Sequence, residues 1–218
     1  MAQRTLAADR TDERLRMTFE EYLEWSGSDI RAEWVNGEVI IFLTPFVRHA
    51  DVVGFVFNLL SYVVRKRGLG RVFAAAFEMR LSVIPSSREP DVAFVATEHL
   101  DRIRGARVDG PADFAVEVVS NDSVTRDRRD KLGEYAAAGV REYLVVEGRE
   151  ARRGVTLWRL HDEGHFAEVR PDEAGLLRST VLPGFWIDPV WFDEDPMPDP
   201  FEIGDAMVGR VVEREQTP

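Results

Sequence analysis

No cysteine occurs in the chain, which excludes disulfides and thiolate metal sites. Histidine is scarce as well: the four residues are His49, His99, His161 and His165, and no helix carries two of them in the H-x-x-x-H arrangement of a zinc hydrolase. His161 and His165 are four apart, but Gly164 and the flanking acids place them in a hairpin loop. A membrane span needs about 20 consecutive apolar residues, and no run approaches that. Met1 to Met17 is polar and charged, without the apolar stretch of a signal peptide. Positive charge is also lacking, because a formal net charge of −11 argues against broad, sequence-independent adhesion to nucleic acid. These absences lead to the expectation of a soluble cytoplasmic protein with no membrane attachment.

What is present is enough apolar material for one core, 44% of 218 residues. The acidity is uneven. From Asp193 onward eight acids face two arginines, so the tail carries −6 and the body −5, and a local basic groove on the body is compatible with that balance. The expected organisation is a disordered N-terminus over 1–16, one domain over 17–192 and an acidic, Pro-rich tail over 193–218. That tail is expected to be disordered or partly helical, with Asp193 to Pro200 as a disordered linker.

Local patterns supply the elements. Thr18 is an N-cap for a helix through Trp25, with Glu20 and Glu21 in its first turn. Asn36-Gly37 between two apolar runs is a hairpin signal. Val52, Val53, Phe55, Val56, Leu59, Leu60, Val63 and Val64 recur at helical spacing, so a long helix is expected from about Arg48 to Arg67. Arg71 to Val83 fits one bent or two short strands, and Pro85-Ser86-Ser87-Arg88 fits a turn. Strands follow over Asp91 to Ala96, Asp113 to Ser120 and Glu142 to Glu147. A helical turn is expected near Glu98 to Ile103, and a helix from about Arg126 to Ala138 ends at Gly139. Val155 to Leu160 and Phe166 to Val169 make a second hairpin. This order predicts an α/β fold: a mixed central β-sheet flanked by helices, with an additional N-terminal hairpin and a C-terminal β-hairpin.

Glu117 is the residue that breaks the pattern. It stands inside the apolar run 114–119, where an unpaired carboxylate would cost at least several kcal/mol. A raised pKa, a basic partner or a metal ion has to relieve it. Asp91 follows Pro90 and opens another apolar run, and Lys131 lies on the expected helix. Asp91 and Glu117 would hold a hard divalent cation, Mg²⁺ or in its place Mn²⁺, with Lys131 stabilising charge on a phosphate. The same three residues would also serve as a buried Glu117–Lys131 ion pair with Asp91 capping a turn.

Several further residues are candidates beside them. Glu33 and Glu38 flank the hairpin turn, His49 opens the long helix, and Glu78 alternates with apolar residues on a strand. Asp127 lies one helical turn before Lys131 and is suited to orient it. Arg126, Arg128 and Arg129 are suited to grip DNA phosphates, and equally to form a solvated helix face. Tyr135 is suited to pack over Lys131. Trp186 and Trp191 suit a core or dimer contact.

Glu89-Pro90-Asp91-Val92, Val116-Glu117-Val118-Val119-Ser120, Asp127, Lys131, Tyr135 and Gly139-Val140-Arg141-Glu142-Tyr143 together resemble the Uma2 family of the PD-(D/E)XK nuclease superfamily. The likeness begins near Met17-Thr18-Phe19-Glu20-Glu21-Tyr22-Leu23, includes Glu33 to Glu38 and His49, and ends near Leu182-Pro183-Gly184-Phe185. It implies a restriction-endonuclease-like core and Mg²⁺-dependent hydrolysis of DNA, with Asp91 and Glu117 as metal ligands. In the superfamily's parent pattern the lysine stands two residues after the second acid, where this chain has Val119. Lys131 would then be the migrated substitute. The competing expectation is a non-catalytic dimeric binding or regulatory module that keeps the nuclease fold. A homodimer is expected through either the Glu142 to Glu147 strand as a sheet edge or the long helix.

Overall fold

The computed structural model describes residues 14–25, 32–41, 47–74, 77–81, 83–105, 107–120, 126–149 and 152–215. The disorder expected for residues 1–13 lies outside these residues, as do the side chains of Arg126 and Asp127. In chain order the N-terminal part runs β1 (Arg14–Arg16), α1 (Phe19–Trp25), β2 (Ala32–Val35), β3 (Glu38–Ile41), α2 (Val47–Arg67), β4 (Gly70–Ala74), β5 (Glu78–Leu81) and β6 (Ser86–Arg88). It continues with β7 (Val92–Ala96), β8 (Ile103–Arg104), β9 (Arg107–Asp109), β10 (Phe114–Val119), α3 (Lys131–Ala138) and β11 (Glu142–Glu147). The chain closes with β12 (Val155–Leu160), β13 (Phe166–Glu168), β14 (Leu177–Arg178), β15 (Trp186–Ile187) and α4 (Pro200–Glu215).

Local chemistry accounts for the boundaries. Thr18 and Glu21 close a capping box on α1: Glu21 N–H donates to Thr18 Oγ1 at 3.2 Å, and Thr18 N–H donates to Glu21 Oε2 at 2.7 Å. Asn36 and Gly37 take φ of 50° and 86°, as a tight hairpin requires, and join β2 to β3. Gly139 ends α3 in the left-handed region, φ 88°, with its N–H on Ala136 and Tyr135 carbonyls.

Among the described residues the main sheet has the strand order β13-β12-β11-β10-β7-β4. β10 and β11 are parallel, with α3 in the connection between them, and β10 runs antiparallel to β7. Alternation along these strands separates two apolar layers. Val92, Phe94, Phe114, Val116, Val118, Leu144 and Val146 pack against α2, whereas Ala93, Val95, Ala115, Val119, Tyr143 and Val145 pack with Tyr135 of α3. A second sheet, ordered β1-β3-β2-β6-β5-β9-β8, brings the hairpin β2–β3 beside β6.

Four expectations change. Residues 14–16, placed in a disordered terminus by their polarity, form β1 on the edge of β3. Ser86 to Arg88, read as a turn from its Pro and Ser, is the buried strand β6 between β2 and β5. β11 is no sheet edge: β10 and β12 flank it and all its residues are buried. Residues 193–200, expected to be a disordered linker, lie among the described residues and lead into α4, the helical part of the tail, which packs its Gly204 against the Tyr62 ring of α2. Tyr62 donates to Asp205 at 2.5 Å, and Arg67 donates to the Met207 carbonyl at 2.5 Å. Both surfaces from which a dimer was expected are thus engaged within one chain. By length and composition α2 could also cross a membrane, but here Val52, Phe55, Val56, Leu59, Leu60, Val63 and Val64 of this helix are core residues.

Candidate active site

The sheet brings the two acids to one place. In the β7–β10 pairing Val92 faces Val116, and continuing that register by one step sets Asp91 opposite Glu117. Asp91 sits just before β7, so its side chain can turn back: Oδ2 accepts the Val118 backbone N–H at 2.8 Å. Both residues are buried, Asp91 3% and Glu117 2% exposed.

α3 supplies the cation. Lys131 opens the helix and is 2% exposed, with Nζ at 2.8 Å from Glu117 Oε1 and 2.9 Å from Glu33 Oε1. One turn further on, Tyr135 donates its hydroxyl to Glu117 Oε1 at 2.8 Å. Burial pushes the Tyr135 phenol well above its usual range, and the Glu117 and Glu33 charges push it further, so it stays a donor. Val119, two residues after Glu117 on the same face of β10, is fully buried in the apolar layer under α3. A lysine there would enter the core, whereas the helix delivers an amine to the carboxylate from above.

The third acid ties this group to the second sheet. Glu33 on β2 is completely buried and accepts Arg88 NH1 at 2.8 Å and the Glu89 backbone N–H at 3.1 Å. Arg88 in turn grips Glu134 of α3 bidentately, through Nε and NH2 at 2.7 Å each. Burial alone would lower the Arg88 guanidinium, but Glu33 and Glu134 outweigh it and raise it, so the side chain remains a fixed cation. Ser86 also donates to Glu134, at 3.2 Å. Glu33, Glu117 and Glu134 thus meet two buried cations, Arg88 and Lys131.

The other candidates fall around this centre. His49 Nε2 lies 3.3 Å from Asp91 Oδ2, and its buried Nδ1 has no hydrogen-bond partner among the described residues. Glu78 on β5 accepts from Ser87 of β6. Burial raises the Tyr22 phenol, and the charges of Glu89, Glu78 and Glu33 each add to that. Glu38 is paired with the largely exposed Arg16 at 2.8 Å, the strand-end role of a surface glutamate. Asp127 and Arg126 lie on a single π-type turn ahead of α3; Arg128 on that turn reaches Glu147 at 3.2 Å, and Arg129 is exposed.

Arg88 and Glu134 were not singled out by sequence. Their signal was faint, an arginine after two serines and a glutamate three residues beyond Lys131. A stronger signal lay unused: Lys131 is one of two lysines among the 28 Lys and Arg residues of the chain. A compact ammonium suits a position between two carboxylates better than a planar fork.

As a donor set for a metal, Asp91 and Glu117 offer hard oxygen ligands only. No group of three or more His, Asp or Glu side chains among the described residues converges on one point. Two carboxylates, with water and substrate oxygens supplying the rest, is how Mg²⁺ is commonly held, so the residues fit such an ion. They would not fit a zinc centre with three protein ligands.

No curated protein matches this chain. A solved structure described as "a putative nuclease belonging to DUF820 from Anabaena variabilis ATCC 29413" is similar with a TM-score of 0.66 at 14% identity, covering 80% of this chain and 96% of that one. At that identity the likeness is one of fold, mixed sheets flanked by helices. The family model for Uma2, described as "Putative restriction endonuclease", matches residues 19–190, from the start of α1 to the turn after β15. A match over that much of the sequence settles the family, and this chain belongs to Uma2.

Proposed function

We propose that this protein is a divalent-metal-dependent endonuclease that hydrolyses DNA phosphodiester bonds, with Asp91 and Glu117 holding Mg²⁺ or, in its place, Mn²⁺. The observation that supports it most is the convergence of Asp91, Glu117 and Lys131 from three different elements at one end of β10. Asp91 and Glu117 bring only hard oxygen donors, which suits a divalent ion of this kind. Such an ion, when bound, supplies Lewis acidity toward the phosphate and the attacking water.

The chain's own residues have separable tasks in this reading. The Val118 N–H orients Asp91, and the Tyr135 hydroxyl orients Glu117. Lys131, the migrated lysine, keeps its ammonium beside Glu117 and stabilises negative charge developing on the phosphate oxygens. Glu33, locked by Arg88, fixes where that ammonium sits. Arg126, Arg128 and Arg129 precede Lys131 in the chain on the turn before α3, and that concentration of arginine supports a contact with the DNA backbone.

A second reading, a non-catalytic module that keeps the fold, draws on the Glu117–Lys131–Glu33–Arg88 chain, which has the form of a purely structural ion network. Calorimetric titration with Mn²⁺, paired with cleavage of supercoiled plasmid, separates the two. The nuclease reading expects binding and cleavage that Asp91→Ala and Glu117→Ala each abolish while the variants stay folded. Metal binding that survives both substitutions, or none in the unmutated protein, leaves only the module.

A further inference from the structure

Beside the Asp91–Glu117–Lys131 group, β11 ends on another buried carboxylate. The Glu147 side chain is 2% exposed. Alternation puts Tyr143, Val145 and Glu147 on the α3 side of β11, the side on which Glu117 lies, and the parallel partner of Glu147 is Val119. One strand across and two residues along sets the Glu147 Cα about 8 Å from that of Glu117.

Two arginines from different segments meet this carboxylate. Arg149 binds it in a fork, Nε to Oε1 and NH2 to Oε2 at 2.6 Å each, and Arg128 adds NH2 to Oε2 at 3.2 Å. Burial would raise the Glu147 carboxyl, but the Arg149 bonds and both positive charges hold it below the usual range. A guanidinium that gives its Nε/NH2 edge to a carboxylate directs its NH1 edge away from it.

The backbone under Arg149 is equally constrained. Gly148 N–H donates to the Val119 carbonyl at 3.1 Å, and a Cβ on Gly148 would come 2.6 Å from Val118 Cγ1. Arg149 is therefore fixed over the end of β10. Arg129, Arg152 and Arg153 stand exposed on the same two segments. Residues 128–130 and 147–153 together hold five arginines against three acids, a local positive excess on a chain of net charge −11. An acidic protein meets a polyanion only where its local field is reversed, and arginines already held in place lose less freedom on binding.

We infer that Glu147 is a positioning residue that presents Arg128 and Arg149 as a grip for a DNA backbone phosphate next to the scissile bond, an inference that rests on the nuclease reading above. The two arginines belong to the turn entering α3 and to the loop leaving β11, so the grip borders the Lys131 side of the site.

Fluorescence anisotropy with a labelled duplex, in chelator so that no cleavage intervenes, tests this over about 50 to 200 mM salt. Arg149→Ala and Arg128→Ala are each expected to weaken binding several-fold and to lower the slope of log affinity against log salt by about one. Arg178→Ala, an exposed arginine whose partner is Asp172, serves as the remote control and should bind as the unmutated protein does. Glu147→Gln adds a net positive charge, so a diffuse field would tighten binding, whereas loss of the grip weakens it. Tighter binding by Glu147→Gln, an unchanged salt slope in both arginine variants, or an equal loss in Arg178→Ala overturns the proposal and leaves the nuclease reading standing. Failure of the unmutated protein to bind any duplex removes both.

Discussion

Replacing Arg88 with Met tests whether the ion network positions the site or merely decorates it. Methionine keeps the length of the stem and removes the guanidinium, which is 2% exposed and bonded to Glu33 and Glu134. Glu134 is 21% exposed, so water can replace its lost partner, and that half contributes only about 0–1 kcal/mol. Glu33 has no exposure, and it would keep only the Lys131 ammonium and the Glu89 N–H among the contacts described above. Breaking a buried pair on one side costs about 3–5 kcal/mol. For a chain of this size that is a fall of roughly 6–20 °C in Tm. Urea denaturation supplies the free energy, and the double variant Glu33→Gln/Arg88→Met closes the cycle. Removing the Glu33 charge together with its guanidinium partner should recover about 2 kcal/mol of the single variant's loss. A loss below about 1 kcal/mol for Arg88→Met, or a double variant no more stable than additivity allows, would refute the claim that Arg88 is what makes Glu33 tolerable in the interior.

Tyr135→Phe removes one donor to Glu117 without changing the shape of the core. A loss of about 1.5–3 kcal/mol by urea denaturation is expected, and a neutral result would mean that Lys131 alone satisfies that oxygen. Glu147 gives a pH-dependent counterpart. Its folded pKa is depressed below the ordinary 4.5, so its contribution is present above that value and is lost as pH falls through the lower folded one. The stability gap between the unmutated protein and Glu147→Gln, read from urea midpoints, should therefore be constant above about pH 5 and shrink on further acidification. A gap independent of pH down to about 3 would show that the arginines do not hold the charged form.

Features governed by a few neighbouring residues were legible in the sequence. Asn36-Gly37 specifies its turn by what φ it allows, Gly139 ends α3 for the same reason, and the long apolar stripe of α2 needed no tertiary information. The pairing of Glu117 with Lys131 was also within reach, since a carboxylate in an apolar strand demands a partner nearby. What was hidden depended on distant elements. Ser86 to Arg88 has turn chemistry, and only Glu33 from β2 and Glu134 from α3 make it a buried strand. β11, whose ends are glutamates, was read as a possible edge. Those ends are buried instead, Glu142 by Arg159, Ser179 and Thr180 and Glu147 by Arg149 and Arg128. Local pattern cannot distinguish a charged end that faces water from one that faces an arginine supplied later in the chain.

That Lys131 stands on α3 and not at position 119 of β10 has a structural consequence. A side chain at position 119 would point into the layer shared with Tyr135 and Tyr143, where Val119 is fully buried. From the first turn of α3, Lys131 instead reaches a place between Glu117 on the main sheet and Glu33 on the second one. The cation thus holds the two sheets together at the point where the acids converge, and Arg88 repeats the device between Glu33 and Glu134 one step farther out. Stability and site geometry then rest on the same ion pairs, so a substitution that slackens the network should disturb the placement of Lys131 before it unfolds the chain.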